Sequence, residues 1–139
     1  MGEAGSTAFR GLDVDVCGWE ALDGYLNTCV CRWWTEPYPL VDLAKKLLYQ
    51  NHPGEADDII YSGSSYVGTF PIYSAVFEVL RKAIEEVGAE NFDGQAFYNA
   101  ALNFEVQFEG QPKWYFTETD RLLMHDVAMY EWSAEKRIW

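Results

Sequence analysis

The sharpest hydrophobic periodicity in the chain lies within Tyr61–Gly88, YSGSSYVGTFPIYSAVFEVLRKAIEEVG. Ile72, Val76, Val79, Leu80, Ala83, Ile84 and Val87 recur at steps of three and four, which places them on one face of a helix. Glu78 and Lys82 stand four apart in the favourable order for an outward ion pair. Pro71 suits the first turn of this helix, where a missing N–H costs nothing, and Gly88 suits the left-handed position after its last turn. The residues before Pro71 then read as a polar, glycine-bearing loop with an aromatic in its middle. A loop-to-helix junction offers free backbone N–H groups and the positive end of a dipole, so this is where a small ligand is expected.

Weaker patterns flank that helix. Residues 1–19 are small, polar and acidic without a sustained period and predict a loose lead-in. β-Favouring residues gather from Leu22 to Trp34 and predict a strand over Gly24 to Arg32, which Pro37 and Pro39 bring to a stop. Pro39 opens a second helix with Leu40, Leu43, Ala44, Leu47 and Leu48 on its apolar stripe, closed by Asn51, His52, Pro53 and Gly54. Residues 51–65 read as an acidic loop. Asp93 is the expected N-cap of a short helix to about Asn103, with Phe97, Ala100, Ala101 and Phe104 inward. Trp114 to Thr117 reads as a strand, Thr119 to Arg121 as a turn, and Asp126 to Trp132 as a strand with period-two alternation. One early strand and a late pair do not readily cover three helices, so the α/β pattern looks like part of a larger arrangement.

Composition narrows the classes. The 139 residues are 49% hydrophobic and 17% aromatic, which suits a packed protein with a cleft or partner face rather than a disordered one. A net charge of −12 and no basic patch argue against nucleic acid as a partner. No apolar run reaches the ~20 residues of a membrane span, and the N-terminal stretch does not read as a secretory signal. Cys17, Cys29 and Cys31 are an odd number without zinc spacing. Cys29 and Cys31 sit two apart on a predicted strand, sharing a face and too close in sequence for an easy disulfide, and free or buried thiols are the favoured reading.

Catalytic and metal patterns are thin. His52, Glu55, Asp57 and Asp58 crowd one loop, but no second His or Cys stands at a ligating spacing, and a solvated acidic loop is the favoured reading. His125 and Asp126 would need a serine from Ser62, Ser64 or Ser65, yet there is no G-x-S-x-G elbow, and adjacent strand residues point to opposite faces. No phosphate-cradling glycine pattern occurs. Trp33, Trp34 and Tyr66 are the remaining candidates, as apolar walls of a small-molecule pocket or as core and hinge packing.

Three stretches together resemble the C-terminal third of a type I periplasmic binding protein, the amino-acid and amide class of solute receptors for ABC importers. DGYLNTCVCRWWTEPYP is similar to the hinge exit from that family's second lobe. YVGTFPIYSAVFEVLRKAIEEVGAENFDGQAFYNAAL is similar to its Tyr-led long helix, glycine break and following short helix. PKWYFTETDRLLMHDVAMYEWSAEKRIW is similar to its late crossover and terminal strand, with Glu118 where the family often has proline. The resemblance covers residues 20–139 and lacks the first two thirds of such a receptor. It implies a partial type I α/β fold, hinge crossovers near 35–39 and 117–121, and a non-enzymatic role without cofactor or metal. Tyr66, Gly68 and Thr69 would contact the ligand, with Trp33 and Trp34 near the hinge and cleft mouth. It further implies an amino-acid-like solute, an ABC permease as partner and a periplasmic or extracellular location, with solute binding weak in this chain alone. The alternative is a small interaction module that self-associates through exposed aromatics.

Overall fold

The structure, a computed structural model, describes residues 9–120 and 122–137. Its contacts divide into two compact units, one formed by residues up to Thr69 with those from Asp126 onward, the other by Phe70–His125.

The first unit begins with helices α1 (Arg10–Cys17) and α2 (Trp19–Leu22), where a loose lead-in was expected. Residues 1–8 of that lead-in lie outside the described residues. Helix α1 forms because Arg10, Gly11 and Val14 are buried on one side. The Arg10 guanidinium donates to the carbonyls of Tyr61 (3.1 Å) and Ile60 (3.5 Å). A Cβ at Gly11 would stand 3.0 Å from Ser62 Cα, so only glycine permits that approach without a shift. Strand β1 (Leu26–Cys29) is shorter than expected and pairs antiparallel with β4 (Ala128–Glu131), Leu26 opposite Glu131 and Cys29 opposite Ala128. Hydrogen bonds between Gly24 N–H and Trp132 O and between Trp132 N–H and Tyr25 O extend the pairing.

Helix α3 (Pro39–Asn51) starts at the predicted proline. Its buried positions are Val41, Ala44 and Leu48, so the stripe is rotated toward Val41 and leaves Leu43 exposed. The predicted 51–65 loop contains helix α4 (Ala56–Ser62). Asp57 and Asp58 in its first turn suit the positive helix end, and Ala56 is buried.

Helix α5 (Ser65–Val87) gives its first residues to this unit and the rest to the second. It does not begin at Pro71, which lies inside it and is fully buried. A proline there removes one backbone hydrogen bond and presses its ring on the preceding turn. Side chains reinforce the segment: Thr69 donates its hydroxyl to the Ser65 carbonyl, and Ser74 donates to Phe70 O at 2.8 Å.

In the second unit, α5 buries Ala75, Val79 and Ala83 against Ala100, Phe104 and Trp114. The outward ion pairing is made by Arg81 with Glu78 (2.9 Å) and Glu85 (2.6 Å) rather than by Lys82. The ammonium of Lys82 lies 5.1 Å above the Phe104 ring instead. Gly88 has φ +82° and ends the helix as predicted. After a 3-10 turn (Ala89–Asn91), α6 (Gly94–Leu102) is capped by Asp93, whose carboxylate accepts the Ala96 N–H at 2.8 Å. Strands β2 (Glu105–Val106) and β3 (Trp114–Tyr115) pair antiparallel, with a Lys113–Glu105 ion pair beside them. The turn after β3 is closed by Asp120 N–H to Thr117 Oγ1 at 2.8 Å; Arg121 lies outside the described residues.

Candidate functional site

Three of the five predicted ligand residues, Trp34, Tyr66 and Gly68, gather beside the bend that follows β1 in the first unit. The chain bends at Val30 and Cys31, and a turn through residues 33–38 folds around the carboxylate of Glu36. That carboxylate accepts from Trp33 N–H (2.5 Å), Arg32 Nη1 (3.2 Å) and the Tyr130 hydroxyl (2.7 Å). The Arg32 guanidinium in turn lies 4.3 Å from the Tyr38 ring centroid. Three donors on one carboxylate hold the turn to both β1 and β4.

The turn sends the tandem tryptophans in different directions. Trp33 is 2% exposed and lies beneath the Arg10 guanidinium at 5.1 Å. Trp34 is also 2% exposed, donates its indole N–H to Gly63 O at 2.8 Å, and stacks on Tyr66 with centroids 6.1 Å apart. Tyr66 is half-buried. Next along α5, Gly68 faces Cys31: a Cβ there would stand 3.0 Å from the sulfur. Thr69 points outward, its hydroxyl engaged by its own helix. The structure thus brings Trp34, Tyr66, Gly68 and Cys31 together, sets Trp33 against Arg10, and leaves Thr69 apart. The N-terminus of the helix is at Ser65 rather than Pro71, so Tyr66, Gly68 and Thr69 lie within helical turns and not in a preceding loop.

Burial shapes the ionisable groups here. The Arg10 guanidinium is held below its ordinary value by desolvation, partly opposed by Tyr61. The Cys31 thiol is pushed up, first by its hydrogen bond with Cys29 and then by burial. The Tyr130 phenol is likewise pushed up by burial and by donating to Glu36. Sequence reading missed Arg10, Glu36 and Tyr130, because the bonds from Arg10 to Tyr61 and from Tyr130 to Glu36 join residues far apart along the chain.

The remaining candidates do not assemble. His52 stands 3.8 Å from Glu55 and both are exposed, while Asp57 accepts from Tyr49. Among the described residues no group of three or more metal-ligating side chains converges. His125 faces Asp120 (3.5 Å) and the Tyr115 carbonyl (3.1 Å), and Ser62 donates to Ile59 O. The second unit holds a cavity of about 140 Å³ between α5 and α6, lined by Ala75, Val76, Val79, Phe97, Phe104 and other apolar residues. It contains no predicted ligand residue, and nothing in its lining would compensate the ammonium or carboxylate of an amino acid.

No family model matches the chain, and no curated protein matches it in sequence. Among solved structures, it is similar to the crystal structure of a branched chain amino acid ABC transporter from Thermus thermophilus with bound valine. The TM-score is 0.65 at 18% identity, over 88% of this chain and 33% of that one. The chain therefore spans about a third of that protein's length. Similarity at this identity is one of fold, and it shows the α/β architecture that the three stretches led us to expect.

Proposed function

We propose that the chain is the C-terminal portion of a solute-binding component of an ABC importer for amino acids or related small amides. The supporting observation is the shared fold, which extends over 88% of the chain to a transporter protein that holds valine. On this reading the protein is non-enzymatic, works in the periplasm or outside the cell, and delivers its solute to a permease. The segments 35–39 and 117–121 are the crossovers that absorb closing of the lobes. Tyr66, Gly68 and Thr69 meet the solute, while Trp34, buried as it is, holds the wall behind Tyr66 and Trp33 packs under Arg10 near the hinge. A site that needs two lobes binds weakly when one third of the length is present.

The test is an amide-resolved NMR titration with L-valine and L-leucine at millimolar concentrations. The expected result is small, fast-exchange shifts confined to residues 66–69 and the Trp34 indole; shifts elsewhere, or none, reject the assignment. Calorimetry on the same chain should give no saturable heat, and micromolar affinity would overturn the partial-site reading.

A second reading, an interaction module that pairs through exposed aromatics, is favoured by Tyr73 and Phe77, 59% and 64% exposed about one turn apart on α5. Light scattering separates the two: a concentration-dependent dimer supports the module, and a monomer over the accessible range removes it.

A further inference from the structure

We propose that Cys29 and Cys31 are a closable dithiol, forming an intrachain disulfide by exchange with a small-molecule disulfide such as oxidised glutathione. None of the three cysteines is disulfide-bonded, yet the Cys29 and Cys31 sulfurs lie 3.0 Å apart in a hydrogen bond. In a straight strand, residues two apart have Cα atoms about 6.6 Å from each other. That is the upper end of the roughly 4.4–6.8 Å a disulfide spans. Here β1 ends at Cys29 and the chain bends at Val30 and Cys31, which brings the second sulfur back over the first. Bond formation requires the sulfurs to close by about 1 Å, to the ~2.05 Å of a disulfide.

The surroundings fix the pair in this geometry. Both residues are buried, at 3% and 7% exposure. The Cys31 sulfur is backed by α5 at Gly68, where any larger residue would meet it at 3.0 Å. The Cys31 carbonyl lies 3.5 Å from the Tyr130 hydroxyl, and Cys29 is held in register opposite Ala128. Either sulfur can donate the hydrogen bond between them, and that bond and burial push the Cys31 thiol up.

The step balances as two exchanges. The Cys29 thiolate attacks one sulfur of oxidised glutathione and expels a glutathione thiolate. Cys31 then loses its proton and attacks the Cys29 sulfur of the mixed disulfide, expelling the second. Two electrons pass from the cysteines to the glutathione disulfide, and the two thiol protons end on glutathione. Burial makes the first attack depend on local opening of the β1 end, so closure is slow but held once formed.

The experiment uses the full chain carrying Cys17→Ser, which removes the exposed third cysteine and leaves one possible intrachain bridge. The chain is equilibrated across ratios of reduced to oxidised glutathione, trapped with an alkylating agent and weighed by intact mass, both folded and in urea. The folded chain is expected to lose two alkylation sites together, as a monomer. Its midpoint should lie at a proportion of oxidised glutathione at least about tenfold lower than in urea. Equal midpoints in the two states, persistent dialkylation, a lasting glutathione adduct or an interchain dimer would each overturn the proposal. Cys29→Ser or Cys31→Ser in the same background should accumulate only the mixed disulfide.

Discussion

The hydrogen bond from the Tyr130 hydroxyl to Glu36, at 2.7 Å, makes a quantitative prediction about the first unit. Tyr130 lies on β4 opposite Asn27, and Glu36 organises the turn that follows β1. Replacing Tyr130 with Phe removes the donor and keeps the ring. A hydrogen bond to a charged acceptor contributes about 1.5–3 kcal/mol net. The Glu36 side chain is 23% exposed, so water competes for it and the lower half of that range applies, about 1.5 kcal/mol. Glu36→Ala should cost more, about 3 kcal/mol, since it also strips the partners of the Trp33 N–H and Arg32.

The double variant isolates the pair. If the two groups act through this bond, the combined loss falls short of the sum of the single losses by about 1 kcal/mol. Urea unfolding followed by near-ultraviolet circular dichroism reads this directly: with a slope of about 1.5 kcal/mol per molar, Tyr130→Phe moves the midpoint by about 1 M. Additivity within about 0.3 kcal/mol would show that the two groups do not share a bond, and would refute the turn geometry built on Glu36.

The same phenol sets a pH dependence. Its value in the folded chain is raised above the unfolded value near 10, so its stabilisation is complete below about pH 10 and is lost as pH rises beyond that. The stability gap between the wild-type chain and Tyr130→Phe should therefore narrow in alkaline urea titrations and stay constant from neutrality to about pH 9. Asp93→Ala removes the cap of α6 and should cost about 1 kcal/mol, seen as faster amide exchange in its first turn. Gly88→Ala forces a side chain into φ +82° with its Cβ 2.7 Å from Glu90 Oε1, and a loss of about 1–3 kcal/mol in thermal unfolding is expected. Phe104→Ala empties the centre of the second unit beneath Lys82 and should cost about 3–5 kcal/mol; a loss below about 1 kcal/mol would contradict that packing.

Elements with local signals were readable from sequence. Pro39 and its leucines marked α3, Asp93 marked α6, and β-favouring runs marked β1, β3 and β4. The helices that were missed, α1, α2 and α4, have eight, four and seven residues. Helices that short draw their stability from tertiary contacts rather than from propensity. Here the contact is Arg10 over the carbonyl end of α4, fifty residues away along the chain. Pro71 misled for a related reason: proline usually marks a first turn, but buried inside α5 it is held by packing and by Thr69 and Ser74 bonding back to the helix.

The candidate site shows the same division. Trp33, Trp34 and Tyr66 stood out as residue types, but their roles depend on the bend after Cys29. Without the bend, alternation along a strand would set Trp33 on the face of Cys29 and Cys31, and Trp34 on the other. With it, Trp34 and Cys31 both reach the first turns of α5, Trp34 by stacking on Tyr66 and Cys31 by resting on Gly68. A ligand contact at Tyr66 and a bond between Cys29 and Cys31 would consequently bear on the same helical turn from opposite partners. If Gly68→Ala displaces Cys31, it should loosen the dithiol and shift the Tyr66 ring together. A variant that shifted one without the other would show that the bend does not join them.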